Sequence, residues 1–227
     1  LDKSDLPVVI NDFFSNDELF DLKSKMDIIF NSREKKNIED LSWETIYTSF
    51  SDVQVDKFCG RAQLSLSSED NNLIPDSVKA KILAKAKEID PLAEFRYFSI
   101  VKYAKEYGIP QLGPHCDHPE KETFLFDIQV DGNIDWPLVV NDDEYSLKNN
   151  SILVVDVQRN PHWRKPMKFE DDSFLYMLFV MFKNETLELE NIEDQMKKCE
   201  PYIGIYNKEF EDLMQIKQHD WKEVRGK

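Results

Sequence analysis

Residues 113–119 read "GPHCDHP", and residues 160–166 read "NPHWRKP". Three of the chain's four histidines fall in these two short segments. The first segment also holds Asp117, and the second has an arginine two places after its histidine. In an extended strand, residues i and i+2 face the same way. His115 and Asp117 therefore point together, and so do His162 and Arg164. If both segments open onto one cavity, two imidazoles and a carboxylate converge there with a guanidinium beside them.

Moving outward from these segments, the texture on both sides is that of short strands. "FRYFSIVKYA" (95–104), "FLFDIQV" (124–130), "WPLVV" (136–140), "SILVVDV" (151–157) and "SFLYMLFVMF" (173–182) are rich in aromatic and β-branched residues. Turn signals separate them at Asp131-Gly132, Asn141-Asp142-Asp143 and Asn149-Asn150. Before them come two helices. "FFSNDELF" offers Ser15 as N-cap, Glu18 to close a capping box and Phe14 to staple against Leu19, with the helix running to about Phe30. The second follows Pro75, carries Val78, Ile82, Ala86 and Ile89 at helical spacing, and stops before Pro91. Residues 31–72 read as loops and irregular strands after a first short strand at 7–10. The tail predicts one more amphipathic helix through Phe210, Leu213, Met214 and Trp221. The expected class is α+β, mainly β: a sandwich or barrel with helices packed outside one sheet. A single domain over 1–227 divides into N-terminal support (1–94), a β core (95–183) and a helical extension (184–227).

At 227 residues the chain can bury a core without disulfides or a structural metal. Its net charge of −15 disfavours nucleic acid and anionic membranes as partners. The longest apolar run, "FLYMLFVMF", suits a buried strand rather than a membrane span. Cys59, Cys116 and Cys199 are odd in number and widely spaced, with no zinc pattern, so a reducing, cytoplasmic setting is expected. The N-terminus has no signal-peptide pattern, and the missing initiator Met leaves room for a removed segment. Oligomeric state is not legible.

Two histidines and one carboxylate on one face of a metal leave three coordination positions open. Non-haem Fe(II) sites use that donor set to hold a chelating ligand and O2 together. A His-x-Asp triplet alone is common by chance, and His118-Pro119-Glu120 is a competing His-x-Glu. The strand-rich context, the later histidine and the arginine at i+2 favour His115, Asp117 and His162.

On these residues the sequence resembles the Fe(II)/2-oxoglutarate-dependent dioxygenases, whose double-stranded β-helix (jelly roll) carries a His-x-Asp…His triad. "KYAKEYGIPQLGPHCDHP" is similar to the family's run from a Tyr-bearing strand into the His-x-Asp turn, and "DWPLVV" resembles a Trp-Pro hairpin of one branch. The 45 residues from Asp117 to His162 are an ordinary gap for the family. The resemblance covers about residues 95–183, and "LPVVINDFFSNDELFDLKSKM" resembles the usual strand–helix lead-in. It implies Fe(II) on His115, Asp117 and His162, with 2-oxoglutarate and O2 as co-substrates. It also implies hydroxylation of an unactivated C–H bond in a peptide or small molecule, releasing succinate and CO2. Relatives that halogenate lack the carboxylate, so Asp117 argues against that reaction.

One departure concerns the co-substrate. Many members bind its distal carboxylate with an Arg or Lys about ten residues past the second histidine, and here Asp172 stands there. Arg164 is the expected replacement, because its planar fork grips a carboxylate bidentately. A surface ion pair with residues 170–172 is its alternative role. Tyr103 is expected to donate a second hydrogen bond, ahead of Lys102. Asp127 and Gln129 share a strand face and either orient a substrate or face solvent. Trp136 and Trp163 read as packing residues, and His219 as an exposed helix residue. Two other functions compete: a non-redox, cupin-like metal- or ligand-binding barrel, and an acidic interaction protein with structural histidines.

Overall fold

The computed structural model describes residues 3–31, 53–67, 73–117, 122–186 and 191–214. His118, Glu120, His219 and Trp221 lie outside these residues, as do 32–52 and 68–72.

The first strand, β1 (Val8–Ile10), leads into helix α1 (Asn16–Asn31). The capping box forms as the residue types require. The Ser15 backbone N–H donates to Glu18 Oε2 at 2.8 Å, and the Glu18 N–H donates to Ser15 Oγ at 3.3 Å. Helix α2 spans Asp76–Ile89 and buries Val78, Ile82, Ala86 and Ile89, the four residues its periodicity marks. Between the helices lie β2 (Gln54–Asp56) and β3 (Arg61–Ser67). The remaining strands are β4 (Glu94–Ala104), β5 (Leu112–His115), β6 (Glu122–Gly132), β7 (Leu138–Val140), β8 (Asp143–Tyr145), β9 (Ser151–Val155), β10 (His162–Arg164) and β11 (Phe174–Lys183). Helix α3 (Ile192–Met214) follows.

The strands form two antiparallel sheets, ordered β1-β9-β6-β11-β4-β3-β2 and β5-β10-β7-β8. On β4, β6, β9 and β11 of the larger sheet, even-numbered residues such as Phe98, Phe126, Val154 and Val180 meet α1 and α2 in one core. Odd-numbered residues such as Tyr103, Leu125, Leu153 and Met177 meet the smaller sheet in a second core. Both faces are covered, which is why these strands read as almost continuous apolar runs. The alternation on β6 thus has no solvent face: Asp127 and Gln129 are buried.

Two expectations are corrected. Residues 61–67 are a regular strand, β3, paired along its length with β4 from Arg61↔Tyr103 to Ser67↔Tyr97. Its helix-facing residues are Ala62, Leu64 and Leu66, while Arg61, Gln63 and Ser65 turn to the space between the sheets, so its period of two carries little apolar contrast. The tail helix buries Gln195, Cys199 and Tyr206, while Phe210, Leu213 and Met214 are only half-buried. No helix among the described residues is long and apolar enough to cross a membrane.

Candidate metal centre

The smaller sheet brings the two histidine segments together directly. β5 and β10 are antiparallel neighbours with His115 and His162 as paired positions, and their ring centroids lie 4.3 Å apart. Asp117 follows two residues after β5 ends. Its backbone N–H donates to the Val157 carbonyl at 2.9 Å, which fixes the turn. One oxygen, Asp117 Oδ1, then lies 3.2 Å from His115 Nε2 and 3.6 Å from His162 Nε2. One ligand atom from each residue falls within 4.8 Å of the others.

Each ring is oriented from behind. His115 Nδ1 is 2.8 Å from the Gly113 carbonyl, and His162 Nδ1 is 3.1 Å from the Asn160 carbonyl. A carbonyl can only accept, so each Nδ1 carries a hydrogen, and in the neutral ring that leaves the Nε2 lone pair for the centre, as a metal-binding imidazole requires. Helix α3 steadies the same turn. Gln195 Nε2 donates to the Asp117 carbonyl at 3.3 Å and to the Gln158 carbonyl at 3.0 Å. Tyr206 donates to Gln111 just ahead of β5, and the Trp163 and Tyr202 rings stack at 4.6 Å. Cys116, between the two ligands, turns toward this helix, with Cys199 Sγ 3.8 Å from its sulfur.

The three groups titrate as a cluster. Burial, reinforced by the neighbouring His115, pushes His162 down to about 4. His115 is partly exposed; desolvation lowers it too, but the bond to Asp117 and that residue's charge outweigh this and raise it above 6.5. Burial opposes ionisation of Asp117 as well, yet its two histidine partners keep it below the usual carboxylate range.

These shifts predict how the metal-free protein responds to pH. Below pH 6.5 the unfolded chain takes a proton at residue 162 that the folded state resists. Stability therefore falls between pH 6.5 and about 4, by about 3 kcal/mol from this group. His115 works on the other side: its contribution is complete below 6.5 and is lost as pH rises through its raised value. Urea unfolding of metal-free protein from pH 4 to 9 should show both arms. His162→Asn should flatten the acid arm.

A cavity of about 370 Å³ opens between the sheets at the triad. Arg61, Asp127 and Arg164 supply its charged lining besides Asp117, and Leu112, Leu125, Leu138, Phe179 and Met181 supply apolar walls.

Neither a protein-family model nor a curated protein matches the sequence. Solved structures do resemble the fold. The non-haem alpha-ketoglutarate-dependent epimerase SnoN from nogalamycin biosynthesis superposes with a TM-score of 0.59 at 8% identity, over 79% of this chain and 78% of its own. A prolyl-4-hydroxylase from Pseudomonas putida gives 0.54 at 11% identity, over 78% and 92%. HygX from Streptomyces hygroscopicus, solved with nickel and 2-oxoglutarate bound, gives 0.53 at 7% identity, over 81% and 85%. The fold is the double-stranded β-helix of these proteins. At these identities the likeness speaks for the fold alone, and that fold carries an epimerase as well as a hydroxylase.

Of the residues expected to serve a co-substrate or substrate, Arg164 and Asp127 line the cavity, and Tyr103 and Gln129 do not. Arg164 is neither free nor on the surface beside residues 170–172. Its Nη2 donates to Asp127 Oδ2 at 2.8 Å, its Nη1 donates to the Trp136 carbonyl, and both charged side chains are only 2% exposed. The Trp136 ring lies 5.0 Å from the guanidinium. Asp127 lines the cavity as a tie between the two sheets. Burial raises its carboxyl, the Arg164 charge pulls it back, and its Oδ1 has no partner among the described residues. Gln129 does not reach the cavity, because its amide is committed to Asn149 Oδ1 at 2.9 Å. Tyr103 is fully buried one layer behind the cavity wall, with its hydroxyl beside the Arg61 guanidinium. Arg61 is the cavity residue that sequence reasoning missed. Its signal was the unread strand: an arginine heading an alternating segment immediately after Gly60.

Proposed function

We propose that the chain is an Fe(II)- and 2-oxoglutarate-dependent oxygenase that hydroxylates an unactivated C–H bond of a small molecule or a peptide, releasing succinate and CO2. The observation that carries this reading is the triad itself. Two imidazoles, each held through Nδ1, turn Nε2 toward one oxygen of a carboxylate that stays ionised. His115, Asp117 and His162 would hold the metal, which supplies the O2 chemistry when bound. Asp117 contributes one negative charge and the histidines bind as neutral rings. Apolar side chains line part of the cavity, and its arginine lining makes it receptive to an anionic oxo acid. The cavity lies at the small end of the roughly 300–1,000 Å³ typical of ligand sites. With the co-substrate inside, room remains for a small molecule or one side chain of a peptide.

Anaerobic addition of Fe(II) and then 2-oxoglutarate to metal-free protein should produce the weak visible charge-transfer band of the chelate. Air should then convert 2-oxoglutarate to succinate. Bound iron without the band would favour a non-redox, cupin-like barrel. No bound iron would leave an acidic interaction protein with structural histidines.

A further inference from the structure

We infer that Arg61, and not Arg164, receives the far carboxylate of the oxo diacid. The assignment rests on the oxygenase reading above and deepens it. The cavity is lined by two cations. Arg164 is matched at 2.8 Å by Asp127 and fixed at a second point by a carbonyl. A further carboxylate there would place two anions on one buried guanidinium, a like-charge arrangement that burial disfavours. Residues of β11 facing the barrel interior are Leu175, Met177, Phe179 and Met181, so that strand brings no cation.

Arg61 is differently placed. Its ion-pair contact is Asp56, at 3.6 Å beyond hydrogen-bonding distance, and its Nε has no hydrogen-bond partner among the described residues. Its side chain is 19% exposed, open to the cavity it shares with the triad, and its charge is felt at His115 and Asp117. The backbone aims it. Gly60, at φ +62°, passes so close to the Ile109–Pro110 peptide that a Cβ would sit 2.4 Å from the Ile109 carbonyl carbon. That contact docks the start of β3 against the segment leading into β5 and His115. Tyr103 is opposite Arg61 in the sheet, with its hydroxyl beside the guanidinium.

The test compares two ligands that share the metal-chelating end and differ at the far end. Anaerobic Fe(II)-protein is titrated with 2-oxoglutarate and with 2-oxobutyrate, which lacks the second carboxylate, following the visible band rather than turnover. Arg61→Gln should weaken 2-oxoglutarate roughly 10- to 100-fold while leaving 2-oxobutyrate unchanged. Arg61→Lys, retaining the charge without the fork, should fall between. Unaltered Fe(II) affinity shows that both variants are folded. Retained discrimination in Arg61→Gln overturns the assignment, and its loss in Arg164→Gln instead moves the role to Arg164. Equal weakening of both ligands by Arg61→Gln reduces Arg61 to a structural part. If wild type binds iron but neither oxo acid, the oxygenase reading itself fails and takes the assignment with it.

Discussion

His162→Ala lowers Fe(II) affinity by more than the roughly 10- to 100-fold typical of losing an outer-shell partner, because it removes a ligand itself. The effect is large for a second reason. His162 is the triad member buried most completely, at 2% exposed, and its Nδ1 bond to Asn160 sets the ring before any metal arrives. With the ring gone, His115 and Asp117 retain their 3.2 Å contact, but only two of the three candidate ligands remain. Calorimetric titration with Fe(II) under anaerobic conditions, wild type beside variant, measures the loss directly. An affinity within tenfold of wild type would remove His162 from the site.

The second large effect is on stability. Arg164→Met leaves Asp127 buried between the sheets with both oxygens unsatisfied, since Oδ1 already lacks a partner. Breaking one side of a buried ion pair costs about 3–5 kcal/mol, and urea unfolding should show a loss of that order at pH 8. The sign of its pH dependence follows from the raised carboxyl. A group whose folded pKa lies above its unfolded value destabilises as pH rises through that interval. The variant should therefore lose less at pH 5 than at pH 8. Adding Asp127→Leu should recover most of the loss, because an apolar pair fills the same space without an orphaned charge. Failure of the double variant to recover would mean that the Trp136 contacts, rather than the ion pair, hold the two sheets in register.

How much of this was legible in the residues follows from the range over which each signal acts. The capping box at Ser15 and Glu18 and the proline-bounded helix after Pro75 are local, and they are found where their chemistry puts them. The barrel strands announce themselves as apolar runs because both of their faces are buried. The triad was legible because its partners sit in two short segments of unusual composition. The Arg164–Asp127 tie joins residues 37 apart on different sheets, and no short-range pattern encodes such a meeting. β3 was missed because small and polar residues carry its alternation, and Arg61 was missed with it. The tail helix was legible, but its most buried side chains, Gln195, Cys199 and Tyr206, include none of the large apolar residues that marked it in the sequence.

That helix has a practical consequence for anyone trimming the protein. A fragment ending at Lys183 would contain every strand of both sheets among the described residues and all three candidate metal ligands. It would lack Gln195, whose amide caps the carbonyls of Asp117 and Gln158, and Tyr206, which holds Gln111 ahead of β5. The Asp117 carbonyl would turn to solvent and the ligand turn would gain freedom at the one ligand that lies outside a strand. A piece that holds every described strand and a piece that also holds the Asp117 turn in place are therefore different lengths of chain, and the difference is α3.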